Sequence, residues 1–251
     1  MSTISDKTVT YYQKIASDYD KWFLTPMHIV MDREEKEGVR KWVKESNLIL
    51  DVGCGTGRMT SFLKDMGFEV VGVDISRPML EFAKSRVPGI NLIQASADAL
   101  PFVDKSFDSN VSMWGCLCHV DDPYLTLEEF VRVTRKRLVF SIYGYIAYRV
   151  LLRITAIIRN PQNALKYALG GRNVQIPARY YPIGDFLDNL PNNVKLVESS
   201  GVNLIPMILP NAMGKDSNFI SISQDLDQIL LKLPFLKSGA AVFLVVLDVI
   251  G

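Results

Sequence analysis

The sequence predicts an α/β fold built on a largely parallel sheet. Short apolar runs suited to buried strands recur along the chain, and stretches with helical spacing lie between them. Strands that alternate with helices form parallel sheets, because each helical crossover brings the next strand back in the same direction. The chain has 251 residues, of which 48% are hydrophobic. We therefore expect a single domain over residues 1–251 with a large buried core.

The first half of the chain supplies five strands and their helices. An aromatic segment at 11–23 repeats apolar side chains at helical spacing and predicts a helix that lies on the domain. Helices are expected at about 57–66, from Ser76 with Pro78 in the first turn, and at about 123–134. The strands are expected at 48–50, 70–73, 91–93, 111–113 and 138–140.

After the fifth strand the alternation stops. Residues 142–169 have a mainly helical pattern that ends at Gly170-Gly171, and we interpret 142–181 as a helical cap inserted after strand five. Alternation then resumes. A helix is expected after Pro182, an extended segment at 195–205, a helix around 224–231 and a last strand near 241–247.

Charge is balanced overall but unevenly distributed. The net charge is +1, yet ten basic residues and no acidic residue fall between Val131 and Tyr180, which favours a position near negative charge or solvent. The apolar run at 240–247 is too short to span a membrane. Three cysteines form no disulfide framework, and the first residues contain no apolar signal segment. We expect a reduced protein of the cytoplasm.

The most informative motif is a glycine turn that follows a buried strand and precedes a helix, Asp51-Val52-Gly53-Cys54-Gly55-Thr56-Gly57-Arg58. A dinucleotide loop needs a third glycine where this chain has Arg58. Asp51 would also repel a pyrophosphate. The motif therefore indicates a ligand with a positive end, and S-adenosylmethionine carries both a sulfonium and an ammonium group.

Acidic residues at two further strand ends fit the nucleoside part of that ligand. Asp74 ends the second strand, where its carboxylate can accept from both ribose hydroxyls. Asp98 follows the third strand and can accept from an adenine amino group. Ile75 and Leu100 are expected to sandwich the ring.

With these motifs the chain resembles the class I S-adenosylmethionine-dependent methyltransferases, and more closely the ubiquinone and menaquinone biosynthesis methyltransferases. The motifs are the aromatic N-terminal segment, 51–57, Asp74, 97–102, 106–108 and 119–123. The resemblance implies a Rossmann-like seven-stranded sheet of order 3-2-1-4-5-7-6, with helices on both faces and an antiparallel seventh strand. One departure is Arg135-Lys136-Arg137, where relatives often have Lys-Pro-Gly-Gly.

The resemblance also implies which residues touch the cofactor and the methyl acceptor. The cofactor set is Tyr19, Asp51, Gly53, Cys54, Gly55, Asp74, Ile75, Met79, Ala97, Asp98, Ala99 and Trp114. Arg179 and Tyr180 are assigned to the acceptor. His119 is either a general base or a structural histidine, since a base is needed only if the acceptor must lose a proton. Cys116 and Cys118 fit no metal spacing, and no metal is expected.

Three hypotheses for the activity stay open. In the first, the chain methylates a small apolar acceptor such as a prenylated quinone precursor, at carbon or oxygen. In the second, it methylates RNA that is held by the basic segment 131–180. In the third, it binds S-adenosylmethionine without turnover. The first is favoured over the second because the basic segment is also highly apolar. A cap helix with Arg149 and Arg153 beside an apolar face serves as a lid, lies weakly on an anionic membrane surface, or simply packs on the domain.

Overall fold

The structure is a computed structural model that describes residues 3–146, 177–202, 222, 225–227, 229–233 and 238–250. Its strands are β1 (Leu48–Val52), β2 (Glu69–Asp74), β3 (Asn91–Gln94), β4 (Phe107–Ser112), β5 (Thr134–Tyr143), β6 (Val194–Val202) and β7 (Val242–Val249). They form one seven-stranded sheet in the order β3-β2-β1-β4-β5-β7-β6. The first five strands in this order, β3-β2-β1-β4-β5, are parallel to their neighbours. Strand β7 runs antiparallel to both β5 and β6. The predicted order and the antiparallel seventh strand are confirmed.

Helices cover both faces of this sheet. They are α1 (Ile4–Ile15), α2 (Pro26–Trp42), α3 (Arg58–Asp65), α4 (Arg77–Arg86), α5 (Pro123–Val133) and α6 (Ile183–Asp188). Phe130 of α5 and Phe186 of α6 pack with Leu50 of β1 on one face. Val39 of α2 and Leu63 of α3 pack on the other face. Because β1 and β4 are covered on both sides, they are apolar or buried along almost their whole length.

The N-terminal segment differs from the single helix predicted at 11–23. The helix α1 begins earlier, because Thr3 and Asp6 form a capping box in which each side chain accepts from the other's backbone N–H (3.0 and 3.1 Å). It ends at Ile15, and a separate 3-10 helix covers Tyr19–Leu24. Ser17 and Asp18 lie at the break, where such side chains compete for backbone hydrogen bonds.

The sequence analysis did not predict α2. This helix packs against β5 and β7, and Val30, Val39 and Glu35 are fully buried along it. Gly38 allows a close approach, because a Cβ atom there would lie 2.2 Å from Cδ2 of Leu244 in β7. A helix with a polar sequence therefore forms part of the core.

β5 is longer than predicted. It begins directly after α5, so Arg135-Lys136-Arg137 lies within the strand and not in a turn. It also includes Ile142 and Tyr143, so the expected cap at 142–181 does not begin as helix. Tyr181 pairs with the end of this strand through its N–H and the carbonyl oxygen of Tyr143 (3.0 Å).

Most of the cap, 147–176, lies outside the described residues and stays a prediction, together with Arg149 and Arg153. Of the helix expected around 224–231, the described residues 225–227 and 229–230 are helical. Across the described ranges, no helix combines the length and the apolar character needed to cross a membrane.

Candidate active site

A cavity with about 730 Å³ of empty space, part of it open to solvent, lies at the carboxyl ends of β1, β2 and β4, where open α/β sheets bind their ligands. The N-terminal segment closes it, since Ser5, Thr8 and Tyr12 follow one face of α1 into the wall. The predicted site residues that line it are Tyr19, Gly53, Gly55, Asp74, Ile75, Met79, Ala97, Trp114 and His119. The fold thus brings together residues from the N-terminal segment and the ends of four strands.

The glycine turn needs its glycines for backbone reasons. Gly53, Gly55 and Gly57 have φ angles of +72°, +53° and +77°, in the left-handed region that side chains with a Cβ rarely adopt. The N–H groups of Gly53 and Cys54 both donate to the carbonyl oxygen of Val73 (2.8 and 3.0 Å), which fixes the turn to the end of β2. The backbone of this turn forms the floor of the cavity.

Asp74 stands at the end of β2 and faces the cavity. Its Oδ2 atom accepts from the N–H of Gly55 and its Oδ1 atom from the N–H of Ser76, both at 2.8 Å. Burial raises the pKa of this carboxyl, whereas the backbone donors lower it. Each carboxylate oxygen keeps a further lone pair, so the group can accept the two hydroxyls of a ribose.

Asp51 and Cys54 lie beneath the cavity and do not line it. Asp51 is 1% exposed and its Oδ2 atom accepts from Oγ1 of Thr60 (2.5 Å). Burial raises its pKa to about 7, so a nearby positive ligand would stabilise its ionised form. Burial likewise raises the pKa of the Cys54 thiol well above its usual range, which makes it a poor nucleophile. Direct contact of either side chain with the cofactor stays a prediction.

The adenine side of the site only partly matches the sequence analysis. Ile75 and Ala97 line the cavity, whereas Asp98 and Ala99 are exposed in the turn after β3. The expected sandwich by Leu100 is wrong, because this side chain is 4% exposed and packs in the core. Contacts from Asp98 and Ala99 stay predictions.

His119 lines the cavity beside Tyr12, a residue that the sequence analysis missed. The ring is 6% exposed, with its Nδ1 atom 2.8 Å from the carbonyl oxygen of Pro177 and its Nε2 atom 3.2 Å from the hydroxyl of Tyr12. Burial lowers the pKa of His119 to about 4, so the ring is neutral at pH 7. The doublet Tyr11-Tyr12 was the available signal, but helical spacing favoured Tyr11.

Trp114 occupies a strained position in the cavity wall. Its φ angle is +59°, and its ring packs edge to face on Phe23 with centroids 4.4 Å apart. Glu35 holds the backbone by accepting from the Trp114 N–H (3.3 Å), and the hydroxyl of Tyr143 donates to the Trp114 carbonyl (2.7 Å). The buried helix α2 thereby supports one wall of the site.

The N-terminal segment is also attached to the glycine turn by polar contacts. Oγ1 of Thr56 donates to Oδ1 of Asp20 (2.8 Å), and Nη1 of Arg86 donates to the carbonyl oxygen of Thr56 (2.9 Å). Arg86 completes the triangle by pairing with Asp20. These contacts keep Tyr19 over the cavity.

The two residues assigned to the acceptor lie behind the wall. Neither Arg179 nor Tyr180 lines the cavity; Arg179 is exposed, with its N–H donating to the carbonyl oxygen of Cys118 (2.7 Å). The Tyr180 ring lies 6.2 Å from that of Tyr143, which lies 5.7 Å from His119. Their acceptor role stays a prediction. In the part of the chain that the structure describes, no three His, Cys, Asp or Glu side chains are placed to hold a metal.

Comparisons with known proteins point to a methyltransferase family. The family model of the methyltransferase domain matches residues 50–142. The chain is 30% identical over 207 residues to an uncharacterized protein of Methanocaldococcus jannaschii, covering 77% of this chain and 78% of the relative. It is 33% identical over 151 residues to demethylmenaquinone methyltransferase of Paenarthrobacter aurescens, covering 56% of each.

A solved structure shows the same fold over nearly the whole chain. It is the methyltransferase in a complex with the Haloferax volcanii Trm112 methyltransferase activator, with a TM-score of 0.65 and 18% identity, covering 96% of this chain and 98% of that one. The seven-stranded sheet of this chain has the order of the class I methyltransferase fold. The chain belongs to the class I S-adenosylmethionine-dependent methyltransferases.

Proposed function

We propose that this methyltransferase acts on a small, apolar acceptor that resembles a quinone precursor. The observation that carries the proposal is the polarity of the cavity wall. Among the described lining residues, Asp74 is the only charged one, and it lies at the glycine turn. Tyr12, Trp114 and a neutral His119 also line the cavity. Such a wall matches an uncharged, ring-bearing acceptor.

The residues present fit the cofactor and divide the work of methyl transfer. S-adenosylmethionine supplies a methyl group on a positively charged sulfur. Asp74 offers its carboxylate to the ribose, and the buried charge of Asp51 stabilises the positive end of the ligand from below. Tyr19 and Trp114 contribute aromatic surface to the cavity wall. Since the reaction is an in-line displacement, alignment of donor and acceptor supplies much of the rate.

The similarity to a demethylmenaquinone methyltransferase supports this acceptor class. The name of that relative describes methyl transfer to a quinone-type molecule, which is flat, apolar and bears oxygen on a ring. Because the match covers 56% of each chain, it supports the chemistry of the site more than the identity of the acceptor. Carbon and oxygen methylation are both compatible with the similarity.

The basic segment gives less support to an RNA substrate. In its described part, Arg132 pairs with Glu129 (2.6 Å) and Asp104 (2.7 Å). Arg135 and Arg137 also pair with acids of neighbouring elements, at 3.2 and 2.8 Å. Guanidinium groups that already have carboxylate partners are poorly prepared to bind phosphates. The structure therefore favours the small-molecule hypothesis over the RNA hypothesis.

The test is to incubate the protein with methyl-labelled S-adenosylmethionine and a fractionated cell extract. We expect label in the lipid fraction with the wild type and none with Asp74→Asn. Label in RNA would instead support the second hypothesis. Binding of the cofactor in calorimetry with no label in any fraction would support a protein that binds it without turnover.

Contact of the cap with an anionic membrane would bring the enzyme to such an acceptor. The basic and apolar pattern around Arg149 and Arg153 supports it, although these residues lie outside the described ones. We expect weak, salt-sensitive co-sedimentation with vesicles of anionic lipid, which Arg149→Glu with Arg153→Glu abolishes. No binding at low salt would refute membrane contact and leave the methyltransferase proposal unaffected.

A further inference from the structure

We propose that Tyr12 and His119 form a proton relay that takes the proton of an acceptor hydroxyl, and that the enzyme transfers the methyl group to the oxygen of that hydroxyl. In this relay Tyr12 contacts the acceptor, and His119 receives a proton from Tyr12. The inference rests on the proposed function, because it assigns the acceptor chemistry of the same cavity. Both side chains line the cavity.

The hydrogen bonds of His119 determine the direction of the relay. The carbonyl oxygen of Pro177 can only accept, so the Nδ1 atom at 2.8 Å must carry the proton of the neutral ring. The Nε2 atom is then an acceptor, and the hydroxyl of Tyr12 at 3.2 Å donates to it. The lone pairs of the Tyr12 oxygen are left for a donor in the cavity. A substrate hydroxyl is such a donor.

The fold holds the pair in a fixed geometry. The rings of Tyr12 and His119 meet edge to face, with centroids 5.5 Å apart and planes at 90°. One turn before Tyr12 on α1, Oγ1 of Thr8 donates to the backbone carbonyl of His119 (3.1 Å). The buried Thr8 thereby positions α1 relative to the histidine. The titratable groups around the pair are Tyr11, Tyr19, Asp74, Cys116 and Tyr143.

The protonation states match these roles. Burial raises the pKa of Tyr12 well above 10, so its hydroxyl keeps a proton at neutral pH and cannot act as a base alone. Burial lowers the pKa of His119 to about 4, so its Nε2 lone pair is free at the same pH. The pair therefore has a proton to pass on and a site that can receive it.

The step balances in atoms and charge. The acceptor oxygen forms a bond to the methyl carbon while the carbon–sulfur bond breaks, and sulfur keeps the electron pair as a neutral thioether. The acceptor proton moves to the Tyr12 oxygen as the Tyr12 proton moves to Nε2 of His119. Positive charge thus leaves sulfur and appears on the imidazole, so the net charge of the cavity is unchanged. This exchange offsets the cost that burial places on a charged His119.

The first experiment identifies the methylated atom. The wild-type protein is incubated with methyl-labelled S-adenosylmethionine and either a mono-prenylated hydroquinone or the lipid fraction of a cell extract, and the product is analysed by NMR. We expect a methyl ether. A methyl group on carbon or nitrogen would overturn this proposal of oxygen methylation and leave the proposed function intact. Label in no product would overturn the relay and the proposed function together.

The second experiment separates proton relay from structural support. Tyr12→Phe keeps the ring but removes the hydroxyl, and Tyr11→Phe is the matched control because Tyr11 neighbours it without lining the cavity. We expect Tyr12→Phe and His119→Gln to lower kcat about 100-fold with the hydroquinone, with unchanged KM for S-adenosylmethionine. Tyr11→Phe should behave as the wild type.

A series of phenols of decreasing hydroxyl pKa gives the decisive comparison. The loss caused by Tyr12→Phe should shrink toward zero for phenols that are already ionised at the assay pH, because these need no base. The rate of the Tyr12→Phe variant should also increase with pH as the hydroxyl of the acceptor ionises. The rate of the wild type should stay constant across neutral pH. An equal loss for every phenol would show a structural role and overturn the relay.

Discussion

Binding of S-adenosylmethionine should release a proton from Asp51. This carboxyl is 1% exposed beneath the glycine turn, and burial raises its pKa to about 7. At pH 7 it is therefore protonated in about half of the ligand-free molecules. A cation bound above it favours the carboxylate and lowers the pKa, so part of this proton must leave when the ligand binds.

The amount follows from the position of the pKa. A fall of about two pKa units corresponds to roughly 2.7 kcal/mol of added attraction. Protonation of Asp51 at pH 7 would then drop from about one half to about one hundredth, releasing about 0.5 proton per ligand. The release should reach about 0.8 proton near pH 6 and fall below about 0.1 at pH 8, because Asp51 is already ionised there.

Calorimetry measures this release directly. The binding enthalpy is determined at pH 7 in phosphate and in Tris, whose ionisation enthalpies differ, and the difference gives the number of protons exchanged. Asp51→Asn is the matched control: it keeps an oxygen that can accept from Thr60 but has no proton to lose. The same proton count in both proteins would refute the assignment, as would the absence of any release in the wild type.

Three further predictions test the site and its support. Asp74→Asn should weaken the binding of S-adenosylmethionine by roughly 3 kcal/mol, a fall in affinity of about 100-fold by calorimetry, because two hydrogen bonds to a charged group are lost. The control variant Glu69→Gln, at the exposed end of β2, should bind the ligand normally. Gly53→Ala should lower the free energy of unfolding in urea by about 2 kcal/mol, because φ is +72° and the new Cβ would lie 2.8 Å from Sγ of Cys116; unchanged stability would contradict this. Burial raises the pKa of Glu35 to about 8, so its folded form holds a proton that the unfolded chain loses near pH 4, and wild-type stability should fall between about pH 4 and 8. Glu35→Gln should remove this part of the pH dependence of stability. The prediction would be refuted if urea titrations at pH 5 and pH 8.5 gave the same change in stability for the wild type and for Glu35→Gln.

The sequence predicted the sheet well because strand positions depend on local patterns. Apolar runs buried on both faces are typical of parallel strands, and β1 to β5 all occur where such runs were found. The missed helix α2 shows the limit of this approach. Its buried side carries Glu35 and Gly38 between Val30 and Val39, so a carboxyl and a glycine interrupt the apolar stripe. Only the packed structure shows that the carboxyl supports Trp114 and that the glycine admits β7.

The sequence predicted the residues around the cofactor better than it predicted the surroundings of His119. Around the cofactor, the chemistry depends on residues that directly follow strands. Such residues can be located from the sequence, and the ends of adjacent parallel strands bring them together in space. Gly55 and Asp74 illustrate this, since each lies at the carboxyl end of adjacent parallel strands. The type and order of residues therefore sufficed to predict a ligand with a ribose and a positive charge.

The surroundings of His119, where we propose that the acceptor binds, are assembled from distant segments. Tyr12 reaches His119 across 107 positions of sequence, and His119 reaches Pro177 across 58. No local pattern in the sequence predicts these contacts. In addition, the break after α1 changes which face of the N-terminal segment lines the cavity. The sequence thus identified His119 as an isolated candidate base. The structure gives it a donor on one side and a carbonyl on the other, and in the proposed relay a histidine held in this way takes the proton of the acceptor through Tyr12.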